Sequence, residues 1–387
     1  MVKGTLGCIM RKYVGLIFLL IGTVSVYGQG PKKIAKADRS LWPYEINSAT
    51  GFNYASKMEM LVFIHVLEGL NTKLNEDSLK THLGVSKVDL SSALAWKKRT
   101  KNTLLTNFNA LPEDKKIPVI NNPVTWQHLS ETSLHIEKKL PAELHQWFLN
   151  AKEFYSSYVY EQLRLAALFP RITSEILTLS NEEVTGFELP DKQFLLTFDD
   201  GPTAPGGHTD RLIETLNKNH TTGIFFILGD RLNSRAMSDP SQAIHRLYGN
   251  HLIASHGRVH KPHQRYDDWE SSLSYTAGVI GSLETKNPKT KYFRPPYGQR
   301  NEQMVAYLKE SHTTLMLWNI DSQDWNAKIS HQEVADRVIT LMLLWRRGII
   351  LFHDINPKAN NALPIIWNKL GESGVKWLDP NTFSIAK

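Results

Sequence analysis

The sequence predicts an α/β fold in its second half, a parallel sheet with helices outside, preceded by a mostly helical region. Two observations carry this reading. From Gln193 onward, short apolar runs of β type alternate with helical patterns, and that alternation builds parallel sheets covered by helices. From about Ala55 to Leu179, by contrast, apolar residues recur at helical spacing and strand-like runs are scarce. A polar stretch over residues 181–190 separates the two styles. With 387 residues, 41% of them hydrophobic, the chain carries enough apolar material for two cores or one large one.

At the amino terminus, Arg11-Lys12 precede an apolar run over residues 14–26, and Val26-Tyr27-Gly28 supplies small residues just before Gln29. This is the layout of a secretory signal peptide over residues 1–28, and it predicts an exported protein, periplasmic or extracellular. The run is shorter than the ~20 residues that cross a bilayer as a helix, so no stable transmembrane span is expected after cleavage. The single cysteine, Cys8, lies inside this leader, which excludes an intrachain disulfide scaffold and any cysteine-ligated metal in the body. The net charge of +7 is spread as +3, +1 and +3 over residues 1–30, 31–190 and 191–387. No segment concentrates it, so no nucleic-acid face is expected.

In the helical region, residues 29–188, a buried helix is expected over 58–69 with a glycine cap, and a long amphipathic helix over 143–168 stopped by Pro170. Trp42, Trp96, Trp126 and Trp147 fit core packing better than sugar platforms. In the region 189–387, strands are expected at 194–198, 223–228, 315–319 and 348–352. Helices are expected at 208–218, 269–283, 301–310 and 331–345. In folds of this type, functional groups gather at the carboxyl ends of the strands.

Five clusters fall at such ends. Thr197-Phe198-Asp199-Asp200-Gly201-Pro202 puts adjacent carboxylates after an apolar strand, a costly pair unless a cation or base relieves it; a solvated Asp-Gly-Pro turn is the simpler alternative. Ser255-His256-Gly257-Arg258-Val259-His260 spaces two histidines by four, which on a helical turn would suit one divalent ion. Three more histidines, His245, His251 and His263, lie close by. Phe293-Arg294-Pro295-Pro296-Tyr297-Gly298 places an arginine at a rigid turn, where it can pair with a carboxylate. Asp321-Ser322-Gln323-Asp324-Trp325 follows a strand, and Leu351-Phe352-His353-Asp354 ends another with a histidine placed for acid–base work. Taken singly, each has a structural explanation as good as a functional one.

Together and in this order, the five clusters resemble those of the polysaccharide deacetylase family, also called the NodB-homology family or carbohydrate esterase family 4. The resemblance spans about residues 193–379. It implies a distorted (β/α) barrel of seven strands and a hydrolase removing N-acetyl groups from N-acetylglucosamine-containing polysaccharide, whether peptidoglycan, chitin-type or exported poly-N-acetylglucosamine. It implies Asp199 as catalytic base, Asp200, His256 and His260 as metal ligands, and Arg294 as the residue that tunes the base. Tyr297 would give a backbone N–H to the oxyanion, Asp324 would orient His353 as general acid, and Trp325 with Leu351 would wall the acetate pocket. Zinc is the metal that two imidazoles and one carboxylate favour, with cobalt or nickel able to take its place. The family usually carries Ser or Thr after its first metal histidine, where this chain has Gly257. An O-acetyl carbohydrate esterase and a non-catalytic carbohydrate-binding protein are the alternative readings.

Overall fold

The computed structural model describes residues 33–70, 74–112, 124–169, 178–283 and 292–382. The leader and Pro170 lie outside the described residues, and among these no helix is long and apolar enough to cross a membrane.

Five helices build the first part: α1 (Ala49–Glu68), α2 (Glu76–Leu83), α3 (Leu90–Asn109), α4 (Trp126–Leu134) and α5 (His145–Leu168). Helix α1 begins nine residues before the expected start because the Ser48 side chain accepts from Gly51 N–H, satisfying an otherwise orphan donor. Its carboxyl end falls where expected, at a glycine cap. Gly69 caps it at φ −60°, a right-handed conformation open to any residue, so glycine's left-handed freedom plays no part. Helix α1 is buried almost all round, and Trp42, Trp96 and Trp147 are buried with it in the core, unavailable as sugar platforms.

The second part alternates as expected: β1 (Gln193–Asp199), α6 (His208–Lys218), β2 (Ile224–Ile227), α7 (Gly229–Ser238), α8 (Ser241–Tyr248), β3 (Leu252–Ser255), α9 (Trp269–Gly281), β4 (Tyr292–Phe293), α10 (Glu302–Glu310), β5 (Thr314–Leu315), β6 (Ile320–Asp321), α11 (His331–Trp345), β7 (Gly348–His353), α12 (Pro357–Leu370) and β8 (Lys376–Trp377). All pairings among these strands are parallel, in the order β5-β4-β3-β2-β1-β7-β6, and β8 joins the start of β1. The result is a curled half-barrel whose main path has seven strands, with a short eighth added. Of the strand expected at 315–319, only Leu315 lies in β5, and Met316 pairs with Val184 as an isolated bridge. There Asn319 interrupts the ladder with its side chain, accepting Ile349 N–H at 2.9 Å and donating to the Arg347 carbonyl at 3.1 Å.

Helix α11 joins the two parts. A capping box of Ser330 and Glu333 starts it, and every residue from Val334 to Trp345 is buried. One amphipathic face would suffice for a helix lying only on a sheet; burial all round requires a second layer. Helices α1 and α5 provide that layer. Phe63 meets Trp345 edge to face at 5.9 Å, and Trp345 Nε1 donates to the Tyr158 hydroxyl at 3.2 Å.

Candidate active site

The central strand β1 sets the site. Its register places Asp199 beside Phe226 of β2 on one side and beside His353 of β7 on the other. In a parallel ladder, paired residues point to the same face, so Asp199 and His353 leave the sheet together at its carboxyl end. The chain then turns sharply. Asp200 takes φ +82°, a left-handed conformation rare outside glycine and tolerated best by Asp and Asn. Gly201 follows against Asp354, where a Cβ would lie 2.0 Å from the Asp354 Oδ2, so no side chain fits.

Arg294 is fully buried and spends its donors on this turn's foundation. Its Nη1 donates to Asp199 Oδ1 and to Thr197 Oγ1, both at 2.8 Å. Its Nε and Nη2 donate to the carbonyls of Met316 (3.1 Å) and Leu317 (2.8 Å). The guanidinium also sits 4.2 Å over the Phe226 ring. Burial pushes the Asp199 carboxyl above the ordinary carboxylate range, against the pull of the Arg294 charge.

Asp200, His256 and His260 converge. Their candidate ligand atoms lie within 4.8 Å of one another, with both Nε2 atoms 3.5 Å from Asp200 Oδ1. That oxygen is buried and has no hydrogen-bond partner. Separations of 3.5 Å are too long for hydrogen bonds, but ligands ~2.0–2.2 Å from a tetrahedral ion stand about 3.3–3.6 Å apart, so the residues fit a shared cation. The tautomer agrees. His256 Nδ1 is 2.7 Å from the Arg294 carbonyl, which can only accept, so Nδ1 carries the proton and Nε2 presents its lone pair. Burial lowers the pKa of both histidines and keeps them neutral, as ligation needs.

The expected helical turn carrying these histidines is absent. Residues 256–260 form an irregular loop, because Gly257 adopts φ +82°. A Cβ there would lie 2.5 Å from His263 Cε1, so glycine is required twice over, by conformation and by space. Bracing comes from elsewhere: Ser255 Oγ accepts Gly257 N–H at 3.2 Å, and Ser272 Oγ accepts Arg258 N–H at 2.7 Å. The neighbouring histidines do not join the cluster. His263 is buried under the loop on Ser272, and His251 is buried between Gly223 N–H and Asn217.

His353 is held by Asp324 at two points, Nδ1 to Oδ1 at 2.7 Å and backbone N–H to Oδ2 at 2.9 Å. Nε2 is the ring nitrogen that Asp324 does not engage. Burial alone would lower its pKa, but the Asp324 charge and hydrogen bond outweigh it and raise it to about 10. Tyr297 takes φ +59° at the third cluster, half-exposed, with its ring edge-on to His260 at 4.4 Å. Trp325 is exposed beside Asp324, whereas Leu351 is buried two residues before His353, on the same face of β7.

Several contributors went unassigned in the sequence reading. Thr197 anchors Arg294; the alternation of β1 puts it on the face of Asp199, which was a usable signal. Asp354 accepts from Thr209 Oγ1 at 2.8 Å, and burial pushes its carboxyl up to about 7. Arg300 closes a fully buried pair with Glu183 at 2.7 Å, behind the third cluster, for which the local sequence holds no sign.

A family model described as polysaccharide deacetylase matches residues 187–316. The chain is 29% identical over 191 residues to a peptidoglycan-N-acetylglucosamine deacetylase of Bacillus cereus, covering 47% of this chain and 67% of that one. It is 30% identical over 164 residues to chitin deacetylase 1 of Saccharomyces cerevisiae, covering 41% and 50%. It is 29% identical over 191 residues to a bifunctional xylanase/xylan deacetylase of Cellvibrio japonicus, covering 48% and 27%. The chain thus spans two thirds of the first relative, half of the second and about a quarter of the third. The polysaccharide deacetylase family model thus matches the segment that carries the first three of the five clusters, and the relatives that share similarity with this chain are named as deacetylases.

Proposed function

We propose that the protein is a metal-dependent hydrolase that removes N-acetyl groups from N-acetylglucosamine-containing polysaccharide, releasing acetate. The observation that carries this is one arrangement: a buried carboxylate, a histidine held by aspartate and an unsatisfied Asp-His-His cluster at the same end of the sheet. Asp200, His256 and His260 are assigned as the holders of one divalent ion, zinc first, with cobalt or nickel as substitutes. When bound, such an ion supplies Lewis acidity toward the acetyl carbonyl and a lowered pKa for water.

The remaining steps belong to side chains. Asp199 takes the proton of the attacking water, and Arg294 holds its carboxylate in place through that transfer. The backbone N–H of Tyr297 donates to the oxyanion as the acetyl carbon becomes tetrahedral. His353, charged and held by Asp324, protonates the departing nitrogen, which is otherwise a very poor leaving group. Trp325 and Leu351 pack on the acetyl methyl. The products are acetate and a free amino sugar.

Acetate release by the purified protein across a panel of N-acetylated glycans, with and without chelator, tests the reading. Turnover on at least one glycan, lost with chelator and restored by zinc, is expected; chelator-insensitive turnover removes the metal assignment. His260→Ala should lower metal content and turnover together. The xylan deacetylase among the relatives favours an O-acetyl esterase as second reading, and direct competition between N-acetyl and O-acetyl sugars separates the two. Action outside the cytoplasm follows from the leader. Mass spectrometry of the exported product should find its amino terminus near Gln29, and an intact Met1 would remove cleavage.

A further inference from the structure

Arg337, in the middle of α11, is buried, and all three guanidinium nitrogens are engaged. Nε donates to the Asp321 carbonyl at 2.9 Å. Nη1 donates to the Ala35 carbonyl at 3.0 Å and to Glu161 Oε1 at 3.2 Å, and Nη2 to Glu161 Oε2 at 2.7 Å. Asp321 ends β6 and opens the turn that holds His353. Its carboxylate accepts the Gln323 backbone N–H at 2.8 Å, and Ser322 N–H reaches the Leu351 carbonyl at 3.2 Å. Gln323 turns the chain at φ +60°, and Asp324 then grips His353 twice. One arginine therefore touches the turn that orients His353 and, on its other side, residues 35 and 161 of the helical layer.

We propose that Glu161 and Arg337 are positioning residues for His353. The helical layer supplies the countercharge that fixes Arg337, and Arg337 fixes the turn from Asp321 to Asp324. A buried guanidinium keeps its geometry only while its charge is matched, and a bidentate carboxylate matches both charge and shape. Without Glu161, the arginine loses its bidentate acceptor and keeps only the nearby Asp321 carboxylate as countercharge, which loosens the geometry in which it holds the Asp321 turn. The sheet and its helices alone are then an incomplete catalytic unit. The effect on turnover rests on the role proposed above for His353; the physical link between Glu161 and His353 does not.

The test uses the full chain and two buried carboxylates of the helical layer. Glu161→Gln should alter the His353 Nδ1–H signal in proton NMR. It should also cut turnover of N-acetylglucosamine oligomers by about 10–100-fold, the usual cost of losing an outer-shell partner. Turnover of an aryl acetate, whose leaving group needs no proton, should fall much less. Glu161→Asp should recover part of the loss. Glu59→Gln removes a carboxylate bonded to Arg39, Trp147 and Tyr155, and should lower stability while leaving the His353 signal and the amide-to-ester ratio unchanged. If Glu161→Gln leaves both readouts unchanged, or if Glu59→Gln moves them equally, the proposal is overturned. If Glu161→Gln does not fold, Glu161→Met with Arg337→Met removes both charges together and should fold. That variant should show the same change at His353, and an unaltered signal overturns the proposal. Should the wild type deacetylate no glycan while the His353 signal still follows Glu161, the proposed function falls and the positioning link stands.

Discussion

In the helical layer, the carboxylate of Glu59 receives Arg39, Trp147 Nε1 at 3.1 Å and the Tyr155 hydroxyl at 2.8 Å. At the mouth of the sheet, the carboxylate of Asp200 has an oxygen with no donor, although two imidazoles stand 3.5 Å away. Glu59 and the Oδ1 atom of Asp200 are shielded from water, and both sit among ring systems. The first has its charge answered by neighbours that the fold holds in place, and both of its oxygens accept. The second has lone pairs and imidazoles facing each other across a gap, which is stable only with a cation between them or a proton shared. Burial of a charge therefore says little about function until its partners are counted. A satisfied carboxylate is structural, and an unsatisfied one among neutral imidazoles marks a site.

That contrast is sharpest in substitutions at the two places. Asp199→Asn keeps the shape of the side chain and removes its basicity. Turnover on amide and aryl ester alike should fall about 10²–10⁴-fold, with zinc content near that of the wild type. Loss of zinc in that variant would make Asp199 a ligand and redraw the site. His353→Ala should come next in size and should be selective, costing far more on N-acetylglucosamine oligomers than on an aryl acetate. Equal losses on both substrates would remove His353 as the acid. Glu59→Gln should do the reverse of both. With the Arg39 charge left buried and unmatched, unfolding by urea should show a loss of about 3–5 kcal/mol, while kcat per folded molecule stays unchanged.

The smallest expected effect concerns pH. His251 accepts Gly223 N–H through Nδ1 at 3.3 Å and donates through Nε2 to Asn217 Oδ1 at 3.2 Å, a neutral tautomer with both nitrogens used. Burial lowers its pKa from 6.5 to about 4. The folded state therefore binds this proton more weakly than the unfolded chain. Its contribution to stability is whole above about pH 6.5 and is lost as the pH falls toward 4. His251→Gln should flatten the fall in melting temperature between pH 6.5 and 4, and an unchanged slope would place the titration elsewhere.

Much of the scaffold was legible because its causes are local. Helices α11 and α6 coincide with their expected spans. Strands β1 and β7 were readable as apolar runs because each is buried on both faces. Strands β4, β6 and β8 were not, since runs of two residues owe their conformation to partners far along the chain. The five clusters were readable as a set of residue types in order. Which histidines converge on Asp200 was a separate matter. His256 and His260 are turned together by a loop that Gly257 bends, while His251 and His263, equally near in sequence, are spent on packing.

What the amino-acid sequence determined by itself is therefore the string of short-range elements and the chemical inventory at their ends, because capping, periodicity and turn chemistry act within a few residues. What only the tertiary structure decided is convergence. Asp199 meets His353 through strand register, Arg294 reaches back to Thr197 and Asp199, and Arg337 joins Glu161 to the Asp321 turn. Each of these contacts links residues about a hundred or more apart or crosses between helices and sheet. Its existence depends on how every intervening element packs, so no local pattern records it.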